Sequence, residues 1–347
     1  MATIKDVARD AGVSIATVSR VFNESAAVSS QTRRQVREVA TRLNYWPNGV
    51  ARSLITNRTH AVGVLLPDLH GEFFSEIIRG IDLAARKENL HLLVSSSHSD
   101  TRDLLSALRA MRGRIDGLIV MAPDADAPAA IRAGAAHTPL VLIDPAATGD
   151  DLDAICIANL DGAAVMIRHL LGLGHRRIAV ITGPPRNSDA QQRLEGYRAA
   201  LRDAGVAPDP ELEIPGDFSE RSGHDAGARL LALARRPTAV FAANDSMAVG
   251  LLGALGEAGV RVPEDIAVTG FDDIALARHL TPPLTTVHVD AFRLGERAVH
   301  HLLARQGSPQ GGSRPCEILP TTLVVRRSCG SPMADGARGR GGRTQGG

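Results

Sequence analysis

Residues 3–23 read TIKDVARDAGVSIATVSRVFN, and two short helices joined by a glycine turn are written into them. Thr3 stands in the N-cap position with Asp6 three residues on, the arrangement of a capping box. Ile4, Val7, Ala8 and Ala11 then recur at i, i+3, i+4 and i+7, the buried stripe of an amphipathic helix. Gly12 predicts the stop, because glycine takes positive φ without a Cβ penalty. Ser14 caps the next helix, Val13 and Val18 hold the staple positions around that cap, and Val18, Val21 and Phe22 face inward. Two helices this close, with glycine between them, have helix-turn-helix spacing. The second helix of such a unit offers its N-terminal residues to base edges in a major groove.

Working outward, a third helix is predicted over 30–43, capped by Ser29. Val36, Val39, Ala40 and Leu43 point inward, and Asn44 takes the left-handed C-terminal position. By periodicity alone this unit is also a generic helical bundle. Charge leans toward nucleic acid: residues 1–58 carry nine basic and four acidic side chains, while the whole 347-residue chain sums to +1. A basic head on a mildly acidic remainder suits phosphate binding at one end. Basic helices also occur as plain solvated faces.

From Ala61 the pattern becomes strand–helix alternation. Short buried-strand runs at 61–66, 91–95, 117–121 and 140–143 are separated by helical stretches near 74–89, 101–112 and 128–137. The pattern repeats with strands at 177–182, 239–242 and 266–270 and helices near 161–172, 189–204, 220–234 and 246–259. Such alternation predicts parallel sheets covered on both faces, with ligands outside the carboxyl ends of the strands. Phe73 and Phe74 follow the first strand, Asp144 closes the fourth, and Asn244 and Asp245 follow 239–242. Asp272 and Asp273 follow 266–270, Arg193 lies in the helix after Thr182, and Phe218 follows the 212–214 stretch.

Composition narrows the class. Hydrophobic residues are 44% and charged residues 22% of the chain, an ordinary globular balance. No apolar run approaches the roughly 18 residues of a membrane span, and no apolar h-region follows Met1, so a cytoplasmic protein is expected. Cys156, Cys316 and Cys329 show no CxxC or zinc spacing and read as separate thiols in a reduced cytosol. GxxxxGK[ST], HExxH and GxSxG are absent, so neither metal nor cofactor nor catalytic residue is expected. Gly250, Gly253 and Gly256 share one helical segment and suggest close helix packing. His300 and His301 adjoin on a helix and point apart, against a metal pair.

Thr3-Ile4-Lys5-Asp6-Val7-Ala8, Ala11-Gly12-Val13-Ser14 and Ala16-Thr17-Val18-Ser19-Arg20-Val21-Phe22-Asn23 closely resemble the head of the lactose-repressor (LacI/GalR) family of bacterial transcriptional regulators. So do Asn44-Tyr45-Trp46-Pro47-Asn48 and Ala51-Arg52-Ser53-Leu54, and the similarity is continuous from residue 2 to about 328. The resemblance implies an N-terminal all-α helix-turn-helix head plus an α/β body of two doubly wound parallel-sheet lobes, periplasmic-binding-protein-like. The expected domains are a head over 1–46, a hinge helix over 47–59, a two-lobed body over 60–330 and a disordered Gly/Arg-rich tail over 331–347. The first lobe would take about 60–160 and 291–320, and the second about 161–290 and 321–330. The chain would cross between lobes three times, with 291–306 returning to the first lobe and a strand around 323–326 crossing back.

The resemblance also implies site residues. Ile15, Ala16 and Arg20 match positions that meet base edges, where an arginine makes a bidentate contact to guanine. Ile15 also has the spacing of a partly buried core residue. Thr17, Ser19 and Asn23 fall on the phosphate side, which sets register, and Thr3 and Ser14 are further expected DNA-binding residues. Asn48, Arg52 and Leu54 match the minor-groove hinge, Leu54 as the apolar wedge; Ile55 would adjust operator preference. In the body, Arg193 and Asp272 match effector-binding positions with Asp144, assisted by Asn244 and walled by Phe73 and Phe218. A salt bridge between the lobes is the plain alternative for Arg193 and Asp272, an N-cap for Asp245, and lobe core for Phe74. Gly71-Glu72 and Ala158 depart from the family pattern near the cleft. The expected function is a ligand-responsive, sequence-specific repressor, a homodimer on a pseudo-palindromic operator of double-stranded DNA, with a sugar or related metabolite between its lobes. The rival readings are a solute-binding receptor and an enzyme using the cleft.

Overall fold

The computed structural model describes residues 2–22, 27–46, 58–124, 127–135, 138–146, 153–306 and 316–330. The chain divides into two compact units, Met1–His60 and Ala61–Gly347. The expected hinge residues Asn48, Arg52, Leu54 and Ile55, the expected contact Asn23 and the tail lie outside the described residues.

The first unit is three helices, α1 (Ile4–Asp10), α2 (Ile15–Phe22) and α3 (Ser30–Arg42). The capping box forms as predicted: the Thr3 N–H donates to Asp6 Oδ2 at 2.9 Å while the Asp6 N–H donates to Thr3 Oγ1 at 3.4 Å. Gly12 sits at φ +61 and Asn44 at φ +50, so both predicted left-handed stops are present. The Thr17 and Thr32 N–H groups donate to the hydroxyls of Ser14 and Ser29, which satisfies otherwise orphaned donors at two helix starts. Val7, Val18, Val21 and Val36 are wholly buried, and Phe22 meets Tyr45 edge to face at 5.8 Å. No polar or charged side chain is buried among the described residues of this unit.

The second unit holds two parallel sheets. The six-stranded sheet takes β1 (Ala61–Leu66), β2 (His91–Ser96), β3 (Gly117–Met121), β4 (Leu140–Ile143), β5 (Asp153–Ile157) and the late strand β11 (Glu317–Leu319), in the order β11-β5-β4-β3-β1-β2. The four-stranded sheet takes β6 (Ile178–Ile181), β7 (Glu213–Ile214), β8 (Ala239–Ala242) and β9 (Ala267–Thr269), in the order β7-β6-β8-β9. Central strands are buried end to end, as strands covered on both faces must be. In the first lobe α4 (Glu72–Lys87), α5 (Thr101–Met111) and α6 (Ala127–Gly134) follow β1, β2 and β3. In the second, α7 (Asn159–Gly172), α8 (Ser188–Asp203), α9 (Glu220–Ala232) and α10 (Asp245–Glu257) cover the sheet.

As expected, α11 (Ala291–Gln306) returns to the first lobe. It lies so close on α4 that a Cβ on Gly80 would meet the Phe292 carbonyl oxygen at 2.0 Å. Of the three helical glycines singled out, only Gly250 marks such a contact: a Cβ there would meet Glu220 O at 1.8 Å. Gly253 has a first neighbour at 4.0 Å and Gly256 has none.

The closing strand runs back toward the second lobe as a ribbon outside its parallel sheet: β12 (Thr322–Val324) pairs antiparallel with β10 (Thr286–His288). The chain reaches the second sheet only at Ser328, whose carbonyl accepts from Val268 N at 2.9 Å and whose hydroxyl donates to Val268 O at 2.6 Å. One expectation is corrected: the cysteines are not three separate thiols. Parallel pairing sets Ile318 beside Cys156 and brings Cys316 within 6.3 Å Cα to Cα, and Cys156 and Cys316 form a disulfide. Cys329 is a buried thiol that accepts from Thr285 Oγ1.

His301 is buried and bonded at 2.6 Å to Glu317, which Arg297 also clamps, whereas His300 faces out. No cluster of metal-ligating side chains occurs among the described residues. No helix there is long and apolar enough to cross a membrane.

Candidate functional site

In the first unit α2 turns Val18 and Val21 into the core, which leaves the other face of the helix outward. Ile15 is 45% exposed, so it is not a core residue, and Ala16 and Arg20 are exposed beside it. Thr3 and Ser14 are exposed, Thr17 and Ser19 half-buried. The Ser14 and Thr17 hydroxyls lie 2.9 Å apart at the helix start. Ile15, Ala16, Thr17, Ser19 and Arg20 thus lie along one short helix whose orientation the Ser14 cap and the buried valines fix, Arg20 in its last turn, while Thr3 stands apart as the cap of α1.

In the second unit a cavity of about 1040 Å³ opens between the lobes at the carboxyl ends of the strands. Phe73, Phe218, Arg193, Asn244 and Asp272 all line it, brought together from five separate stretches of chain. Phe74 lines it as well as packing on the core, edge to face with Phe73 at 5.5 Å, so its two readings are one position. Phe218 is seated against Gly183, where a Cβ would come within 2.4 Å of the ring.

Arg193 is the centre. Its Nη1 donates to Ala243 O at 2.6 Å and to Asp272 Oδ1 at 3.2 Å, and its Nε donates to Asn159 Oδ1 at 2.8 Å. The guanidinium lies 3.8 Å from the centroid of the Phe271 ring, a cation–π contact strengthened by exclusion of water. No hydrogen bond to a described residue uses Nη2, which leaves donors for a ligand. The Arg193–Asp272 pair is a salt bridge, but within the second lobe rather than between lobes, and both side chains are at least nine-tenths buried.

Three proposed ligand contacts hold backbone that non-glycine residues seldom adopt: Asp144 at φ +43, Phe218 at φ +72 and Asp272 at φ +110. Strain of this kind gathers at binding sites because the surrounding fold must over-determine it.

Asp144 itself is corrected. It does not line the cavity; it is buried behind it, accepting from Ile157 N at 2.7 Å and so tying the end of β4 to β5. Burial and the nearby Asp189 push its carboxyl well above the ordinary range. Asn244, not Asp245, caps α10: its Oδ1 accepts from Met247 N, and its Nδ2 donates to Phe218 O. Asp245 lies under the cavity floor, wholly buried, bonded to Thr286 Oγ1 and Ile274 N.

Sequence reasoning missed Asn159, Phe271, Asn187 and Asp189. Asn187 lines the cavity and caps α8, and Asp189 lines it from one turn before Arg193. The i, i+4 spacing of Asp189 and Arg193 puts both on one helix face and was the signal available. Burial pushes Asp189 up to about 7, Arg193 pulling it down and Asp272 pushing it up; burial likewise pushes Asp272 up to about 6, against the pull of Arg193.

The lobes also touch. Ser188 N donates to Pro123 O at 2.9 Å, and Leu276 N donates to Glu72 Oε2 at 3.2 Å. Glu72, where the sequence departs from the family pattern, therefore links one lip of the cleft to the other.

Residues 3–48 match the family model described as bacterial regulatory proteins, lacI family, and residues 167–329 match a periplasmic binding protein-like domain. The ribose operon repressor of Escherichia coli is 40% identical over 325 residues, covering 93% of this chain and 98% of that one. The transcriptional repressor PurR of Erwinia tasmaniensis is 38% identical over 339 residues, covering 97% and 98%. The lac repressor dimer bound to operator and an anti-inducer superposes with a TM-score of 0.85 at 33% identity, over 94% of this chain and 99% of that one. These relatives repress transcription and are not enzymes. A helix-turn-helix head, a two-lobed periplasmic-binding-protein-like body and full-length likeness to repressors together make this chain a member of the LacI family of bacterial transcriptional regulators.

Proposed function

We propose that this regulator is a cytoplasmic repressor, binding a pseudo-palindromic operator as a homodimer, and that a sugar or related hydroxyl-rich metabolite in the body's cleft changes its hold on DNA. The carrying observation is the Arg193–Asp272 pair at the inner end of the cavity, with Nη2 of Arg193 unspent and aromatic rings beside it. A guanidinium and a carboxylate held side by side offer a donor and an acceptor to vicinal hydroxyls, and Phe73 and Phe218 offer apolar walls to a sugar face. The name of the ribose operon repressor places a sugar among the candidates. On the DNA side, Ile15, Ala16 and Arg20 read bases, Thr3, Ser14, Thr17, Ser19 and Asn23 set register, and Asn48, Arg52, Leu54 and Ile55 form the minor-groove contact.

A ligand shifts DNA binding only in so far as it favours one arrangement of the lobes over another. The contacts Ser188–Pro123 and Glu72–Leu276 belong to one such arrangement. The test is selection of genomic fragments by the purified full-length protein at several salt concentrations, followed by sequencing. One enriched palindrome is expected. Binding that is sequence-blind and collapses with salt would overturn the operator reading.

A further inference from the structure

At the inner end of the cleft one guanidinium stands among several carboxylates. Arg193 already neutralises Asp272 at 3.2 Å. Asp189 lines the same wall, 5% exposed, and its one hydrogen bond among the described residues comes from neighbouring Ser188 at 3.4 Å. That long contact leaves a buried carboxylate with unused acceptor capacity facing the cavity. At the outer end Asp68, Glu72, Asp217, Glu220 and Asp225 line the cavity against Arg221. Histidines 70, 98 and 224 are the remaining titratable lining groups among the described residues.

We propose that Asp189 makes this cleft select uncharged, hydroxyl-rich effectors over their phosphorylated counterparts, its carboxylate accepting from a ligand hydroxyl. The inference rests on the cleft being the effector site. An entering phosphate would meet Asp189 beside a guanidinium whose charge Asp272 already balances, and like charges brought together out of water repel strongly. An uncharged ligand meets the opposite situation. It gives Asp189 the donor it lacks and takes Arg193 Nη2 as its own donor, so both unsatisfied groups are answered at once. Burial pushes Asp189 up to about 7, and an anion brought beside it would push it up further.

The test uses the full chain, wild type and Asp189→Asn, with ribose and glucose and the terminal phosphate ester of each as probes. Calorimetry and thermal melting are the readouts. The wild type is expected to bind a free sugar at least about tenfold more tightly than its ester, and Asp189→Asn to narrow that ratio by about tenfold. An ester bound as tightly as its free sugar by the wild type overturns the selectivity while leaving the cleft as the effector site. A ratio unchanged in Asp189→Asn removes the role of this residue. Absence of binding for every probe overturns the sugar reading, and the proposal with it. Should Asp189→Asn fail to fold, Asp189→Ser removes the same charge and carries the same expectations.

Discussion

The two units of this chain solve opposite problems. The head closes around wholly buried valines, buries no polar side chain among its described residues, and presents its described candidate contacts along α2 and at the start of α1. The body buries Asp189 and Arg193 in the wall of a cavity and Asp144 and Asp245 behind it, and holds three of its candidate residues at positive φ. A surface that reads DNA needs only rigid placement, because water solvates its polar groups until a phosphate or base replaces it. A cleft that encloses a small molecule must carry its polar groups desolvated beforehand, at a cost to stability. The head should therefore fail through its apolar core, and the body should respond to charge and pH.

The largest effect expected is in the head. Val18→Asp places a charge in a core with no partner for it, so DNA binding is lost outright while calorimetry still shows effector binding by the body. If DNA binding survived, α2 would not be anchored as described. Next is Arg193→Met in the body, which leaves Asp272 buried beside an unanswered ligand. Effector affinity falls by about a hundredfold or more, on the order of 3 kcal/mol, with DNA binding retained.

A smaller effect separates the units by pH. Asp189 and Asp272 have folded-state values of about 7 and about 6, above the ordinary 3.8, so the folded body favours their protonated forms. Their contribution to stability is full below about pH 4 and is lost as pH rises through about 6 to 7. Arg193 pulls both down and tempers the slope, whereas the like-charged Asp124 pushes Asp189 up and steepens it. The body's melting temperature falls from about pH 5 to about pH 8, less steeply in Asp189→Asn. The head buries no such group among its described residues and gives no matching slope; equal slopes in both units would break the contrast. The smallest effect is Thr3→Ala, which removes the capping box and lowers head stability by about 1 kcal/mol without touching the body. Thermal melting of the two transitions would show it.

The same contrast explains what could be read from the sequence. The head's elements are local: Thr3, Asp6, Gly12, Ser14 and Ser29 all act within a few residues, and each did as its position predicted. Strand–helix alternation likewise revealed both sheets, because their central strands are continuous apolar runs. The short strands β5, β10 and β11 escaped, since three to five residues carry no periodicity of their own and exist only through pairing with distant strands. The Cys156–Cys316 bond follows from one of those pairings and was hidden with it. In the cleft, Arg193 and Asp272 were accessible through family resemblance. The hold of Asn159 and Phe271 on Arg193 arises only after α7 and the turn beyond β9 come together. Asp144 misled because it does close a strand, yet its side chain turns to Ile157 rather than to the cavity.

The central claim is that the body's cleft governs the head's grip on DNA. It is tested most directly by measuring the affinity of full-length protein for its selected operator with and without a saturating ligand identified by calorimetry, in wild type and in Arg193→Met. A change of at least about tenfold in the wild type, absent in Arg193→Met, is the predicted result. A ligand that measurably binds the cleft and leaves operator affinity unchanged would contradict it.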